Sequence, residues 1–216
     1  MTPENQALIE TLFAQILQCI EPETHTRSGL AETPKRVAKA YQELFAGYGH
    51  DGQELLGKTF QDDVLSTYRG AVIVGPVSFY SQCEHHMAIF HGTAFLGYIP
   101  GDPTPAEMET PGQEDTLWIP GKVVGLSKLA KLVELYARRL QVQERLTQQI
   151  TNDLEKYLQP KGVMVVMEAV HTCMCARGAR AQGCKTMTSC VTGVFDTKPE
   201  ARAEFLHIME MMRAKS

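Results

Sequence analysis

Two short clusters of thiols and imidazoles put the tightest constraint on this chain. Cys83-Glu84-His85-His86-Met87 and His171-Thr172-Cys173-Met174-Cys175 each stand at the end of a segment that reads as a β-strand. Thiolate sulfur and imidazole nitrogen together suit Zn²⁺. A Cys-x-x-His pair offers only two ligands, so a metal site needs both clusters. A fold that builds one must bring two strand ends, distant in sequence, to the same place.

The surrounding pattern supplies the strands and the layers that cover them. Residues 71–81, 92–99, 163–171 and 185–195 are apolar and rich in β-branched residues, the composition of strands. Gly75-Pro76 interrupts the first, which suggests an edge or a bulge. Helical periodicity marks 4–20, about 34–46, 128–139, 142–158 and 199–213. Thr33-Pro34 and Ser127 read as helix starts. Val142, Leu146, Ile150, Leu154 and Leu158 repeat every fourth residue along the fourth helix. The segment 50–66 reads as loop and short turns. The order implies α+β: a mainly antiparallel sheet covered by helices on one face, with helical arms.

Composition excludes some roles. A net charge of −4 over 216 residues lacks the basic surface of a general nucleic-acid binder. No apolar run approaches the about 18 residues needed to span a bilayer. The N-terminal MTPENQALIE has no basic stretch followed by an apolar core, so the expectation is a reducing, cytoplasmic setting. There the six cysteines serve as metal ligands or buried small residues. Residues 101–119 form an acidic, proline-rich insertion that reads as an irregular loop or, with Trp118 docking on the body, a lid.

On an extended chain His171, Cys173 and Cys175 would share one face. Two assemblies follow. Cys83, His86 and one of Cys173 or Cys175 could hold zinc with a fourth position open, leaving His85 and His171 to move protons. Alternatively Cys83, His86, Cys173 and Cys175 could close a structural site. Arg36, Lys39, Lys128, Lys131 and Arg177 are candidates for holding an anion, with Ser127 at a helix start. Gln143 and Glu144 sit in the first turn of a helix, where a carboxylate could accept the paired N–H donors of a guanine-like edge.

The motifs FYSQCEHHM, GYIP, GKVVGLSKLAKLVELYARRLQVQERLTQQI and EAVHTCMCARG, with TPKRVAKAY before them, closely resemble GTP cyclohydrolase I over roughly residues 33–196. The resemblance implies a tunnelling fold (T-fold): an antiparallel four-stranded sheet with two helices on one face, plus an N-terminal helical arm and a C-terminal helix. It implies an N-terminal helical region at 1–66 and a catalytic domain at 67–216. It implies a homodecamer of two pentamers with active sites at subunit interfaces, acting on GTP and water to give formate and 7,8-dihydroneopterin triphosphate, the first step of tetrahydrofolate and pterin biosynthesis. By position it makes Cys83, His86 and Cys173 the Zn²⁺ ligands and His85 and His171 the proton-transfer residues. Glu144, with Gln143, becomes the guanine anchor, and Ser127, Lys128, Lys131, Arg177, Arg36 and Lys39 the ribose and triphosphate contacts. Lys131 puts a point charge where some relatives place an arginine fork. The chain between Tyr98 and Gly125 is longer than the family's short link.

Overall fold

The computed structural model describes residues 1–23, 27–60, 68, 70–101 and 122–214. Its centre is a five-stranded sheet in the order β5-β2-β3-β6-β7, with β2 Val72–Cys83, β3 Ile89–Ile99, β5 Leu140–Gln141, β6 Gly162–His171 and β7 Thr186–Val191. This corrects the expected four antiparallel strands. Neighbours among β2, β3, β6 and β7 pair antiparallel, but β5 adds a fifth strand that runs parallel to β2, pairing Gln82 with Leu140 and Cys83 with Gln141. Two residues in a helix–helix connection carry no periodicity, so this strand has no sequence signature. A separate two-stranded ladder joins β1 Thr59–Phe60 to β4 Val123–Val124. Gly75-Pro76 sits where the β2–β3 register shifts between Val74 and Val77.

Both faces of the sheet are covered. Val163, Val165, Met167 and Ala169 of β6 face one core, with Ala94, Leu96 and Tyr98 of β3. The intervening Met164, Val166 and Phe95 face another. A strand buried on both sides has no polar face to show, which explains the unbroken VMVVM run. The first core is closed by α5 Leu126–Ala137 and α6 Gln143–Leu158, whose Leu129, Leu132, Val133, Leu146, Ile150, Leu154 and Leu158 are all fully buried. The second is closed by α8 Val194–Thr197 and α9 Pro199–Arg213 through Phe195, Phe205 and Met209. The Phe205 ring lies over the backbone of Gly97, where a Cβ would come within 2.6 Å of it.

The N-terminal part comprises α1 Pro3–Ile20, α2 Ser28–Ala31, α3 Thr33–Leu44 and α4 Gly52–Leu56. α4 lies in the segment read as loop, and its Leu56 is fully buried in the first core. α1 packs on α3 but buries no residue completely, and Leu8, Leu12, Ile16 and Ile20 stay exposed along one side. Two helix starts differ from expectation. Glu32 rather than Thr33 caps α3, and Gly125 caps α5, placing Ser127 inside the helix. β7 stops at Val191 because Gly193, at φ 55, turns the chain into α8. The acidic insertion beyond Gly101, Trp118 included, lies outside the described residues. No helix among the described residues is long and apolar enough to cross a membrane.

Candidate metal centre and active site

The first cluster forms the tight turn of the β2–β3 hairpin. Cys83 N–H donates to Ala88 O at 2.8 Å and Met87 N–H to Cys83 O at 2.8 Å, with Met87 at φ 51. Strand order puts β3 beside β6, and the register sets Phe90 opposite His171. The hairpin turn therefore meets the end of β6 at one edge of the sheet.

The second cluster is not extended. After His171 the chain enters one helical turn, α7 Thr172–Cys175. On a helix two residues apart point to nearly opposite sides, so Cys173 and Cys175 diverge. Cys173 Sγ lies 4.0 Å from Cys83 Sγ. Cys175 Sγ instead donates to Ala181 O at 3.4 Å. The donor atoms of Cys83, His86 and Cys173 all fall within 4.8 Å of one another, the one such group among the described residues, and Cys175 does not join it. Two thiolate sulfurs about 2.3 Å from one tetrahedral centre sit about 3.8 Å apart, so this donor set fits a metal ion with little movement. Burial, then the adjacent Cys83 thiol, pushes the Cys173 thiol up in pKa, as expected for paired sulfurs that need a cation to ionise together.

Both spare imidazoles stand by. His85 is mostly exposed, with Nδ1 3.9 Å from Cys83 Sγ. His171 stacks on Phe90, ring centroids 4.6 Å apart and planes 5° from parallel, and its Nε2 lies 2.8 Å from Gln143 Oε1. Burial lowers the His171 pKa, opposed by the charge of nearby Glu144. Glu84 pairs with Arg145 through two contacts, one of 3.1 Å, fastening the hairpin turn to the start of α6.

The expected anion residues divide. Arg177 is close enough for its charge to act on Cys173. Arg36 Nη2 donates to Gly29 O at 2.8 Å and Thr33 Oγ1 at 3.1 Å, within its own helical region. Lys39 is exposed on α3. Ser127 and Lys128 open α5, while β5, which pairs with Cys83, follows the far end of that helix. Twelve helical residues span about 18 Å. Lys131 lines a surface cleft with His50, Asp51, Glu54 and Arg138, apart from the thiols. One chain thus assembles Cys83, His85, His86, His171, Cys173, Glu144 and Arg177, while the α5 cations stand at the far end of their helix. Sequence reasoning missed Phe90 and Arg145, since only strand register and helix placement bring them to the site.

The GTP cyclohydrolase I family model matches residues 9–104 and 114–210. This chain belongs to that family. The GTP cyclohydrolase 1 of Mycobacterium avium is 45% identical over 95% of this chain and 90% of its own length. That of Mycolicibacterium paratuberculosis is 44% identical over 95% and 90%, and that of Brucella suis 41% identical over 96% and 85%. Among solved structures, the apo form of an archaeosine synthase QueF-like protein aligns with 59% of this chain and 97% of its own at 15% identity and a TM-score of 0.41, too slight a likeness to build on.

Proposed function

We propose that this chain is a zinc-dependent GTP cyclohydrolase I, converting GTP and water to 7,8-dihydroneopterin triphosphate and formate at the head of tetrahydrofolate and pterin biosynthesis in the cytoplasm. The observation that carries the reading is the meeting of Cys83, His86 and Cys173 within 4.8 Å, beside two imidazoles that are not part of the group. Cys83, His86 and Cys173 would hold Zn²⁺, which would supply a Lewis acid able to make water nucleophilic near neutral pH.

The protein's own groups supply binding and proton transfer. Glu144, exposed in the first turn of α6, anchors the guanine edge. Gln143, its expected companion, has its amide already engaged inside the protein. His171 exchanges protons at the imidazole ring of the purine, held flat against Phe90. His85, mostly exposed on the hairpin turn, delivers a proton to the ribose oxygen as that ring opens. Arg177 receives the triphosphate, together with Ser127, Lys128, Lys131, Arg36 and Lys39.

A homodecamer with interface sites accounts for that last group. Because the α5 start lies about a helix length from Cys83 in one subunit, its Ser127 and Lys128 serve the thiols of a neighbour. Three further observations support assembly into this T-fold ring. Among the described residues β7 has an open edge, β2 is covered on its outer side only by the two residues of β5, and α1 leaves Leu8, Leu12, Ile16 and Ile20 exposed. The division into a helical region at 1–66 and a catalytic domain at 67–216 fits the shallow packing of α1, though Leu56 already belongs to the catalytic core.

The test is incubation with GTP, with and without a chelator, scored by formate release and by pterin fluorescence after oxidation. Product that disappears with the metal is expected. No product from fully zinc-loaded protein overturns the reading.

A further inference from the structure

The hydrogen bonds around Gln143 leave no freedom in where its protons lie. Gln143 is 1% exposed at the start of α6. Its Nε2 lies 3.1 Å from Met167 O, 3.1 Å from Thr186 O and 3.1 Å from Thr188 Oγ1. The first two are backbone carbonyls, which only accept, so the amide nitrogen must face them. A flipped amide would set its oxygen against both. Thr147 Oγ1 donates to Gln143 O at 2.8 Å, so the 2.7 Å contact between the two threonine hydroxyls takes its proton from Thr188. Thr188 Oγ1 is then free to accept from Gln143. Every proton in the network runs one way.

The amide oxygen is thereby committed to His171. Gln143 Oε1 has no proton to give, so at 2.8 Å the imidazole Nε2 must donate to it. A ring carbon in that place would sit inside van der Waals contact. In the neutral ring, Nδ1 then carries the lone pair. Stacking on Phe90, itself fully buried, sets the plane of the ring, and Gln143 sets its edge. Resting on the reading of this site as a GTP cyclohydrolase active site, we infer that Gln143 is a positioning residue that fixes His171 in the Nε2–H tautomer and makes Nδ1 the ring atom that exchanges protons with substrate.

This differs from a guanine contact for Gln143. A buried amide with two protons shared among three acceptors, 1% exposed and with its oxygen on His171, has no N–H left to offer a purine. It also suits a residue that must both take and give a proton. Gln143 Oε1 accepts from Nε2–H whether or not Nδ1 is protonated, so the ring cycles without rearranging its support.

The test uses the zinc-loaded protein labelled with ¹⁵N-histidine, without substrate and above the titration range of an ordinary imidazole. The His171 signals are identified by their loss in His171→Asn. Expected are a protonated Nε2 and an unprotonated Nδ1. Gln143→Leu, and Gln143→Met as the variant that keeps the side-chain length, should mix the tautomers. Each should lower kcat about 10- to 100-fold, with KM for GTP changed less than about threefold. A wild-type spectrum with the proton on Nδ1 overturns the inference, even if neither variant folds. So does a variant that raises KM about tenfold with kcat and tautomer intact, since that is the behaviour of a guanine contact. A wild-type protein with this tautomer and no turnover of GTP supports the positioning and overturns the activity instead.

Discussion

Cys83 and Cys173 bring their sulfur atoms to 4.0 Å across 90 positions of sequence. One closes a hairpin turn and the other lies on a single helical turn after β6, so the pair exists only because β3 sits between β2 and β6. Removing either sulfur should remove the metal. Cys83→Ala and Cys173→Ala are expected to bind less than a tenth of the wild-type zinc by elemental analysis, whereas Cys175→Ala, whose thiol faces Ala181 O, keeps full stoichiometry. Zinc loss from Cys175→Ala would revive the closed four-ligand site.

His171 is not one of the donors gathered within 4.8 Å; its ring stacks on Phe90 and its Nε2 meets Gln143. His171→Ala should therefore retain zinc and lose about 10²- to 10⁴-fold in kcat. Elemental analysis and formate release on the same preparation separate the two effects. Loss of both together would make His171 part of the metal's support.

Glu144 acts on His171 only through its charge and makes no side-chain hydrogen bond among the described residues. Glu144→Gln keeps the shape and removes the charge that matches two guanine N–H donors. It should cost about 10²-fold in kcat/KM for GTP while leaving thermal stability within about 0.5 kcal/mol. An unchanged kcat/KM would take guanine recognition away from this residue.

Glu168 holds α9 to the sheet. Its carboxylate pairs with Lys185 at 2.8 Å and with Arg213 near the end of that helix. The hydrogen bond from Lys185, ahead of the Arg213 charge and against partial burial, keeps Glu168 below the usual carboxylate pKa. The folded state thus binds this proton more weakly than the unfolded chain. The stabilisation is complete above the ordinary carboxylate pKa and is lost as pH falls through the lowered folded value. Because Lys185 is 55% exposed, about 1 kcal/mol is a reasonable size. Thermal midpoints of wild type and Glu168→Gln should differ near neutrality and converge in acid; a gap that persists in acid rules out the carboxylate as its source.

Phe205 is 1% exposed in the second core, against Phe95, Val166 and Phe195. Phe205→Ala leaves a ring-sized cavity beside Gly97 and should cost about 3–5 kcal/mol, read as a lowered denaturant midpoint. A cost below 1 kcal/mol would mean that α9 closes the gap by moving.

Much of this was legible in the residues. The four long strands, the fourfold apolar spacing of α6 and the stripe of α9 follow from periodicities that only one kind of backbone can bury. The ligand types announce themselves because thiols and imidazoles seldom cluster without a metal. What escaped did so for physical reasons. β5 is too short to show a period. Ser127 has the side chain of a cap, but Gly125 starts the helix. The run His171-Thr172-Cys173-Met174-Cys175 alternates as a strand would, yet its backbone closes a helical turn.

The sequence by itself determined which elements form, which faces they bury and which chemical groups are on offer, because those depend on local spacing and side-chain type. Tertiary structure alone decided which thiol faces Cys83, that Gln143 spends its amide on His171, and that the cations at the α5 start lie a helix length from the thiols. Those are distances between residues far apart in the chain, and only the order and register of the strands sets them.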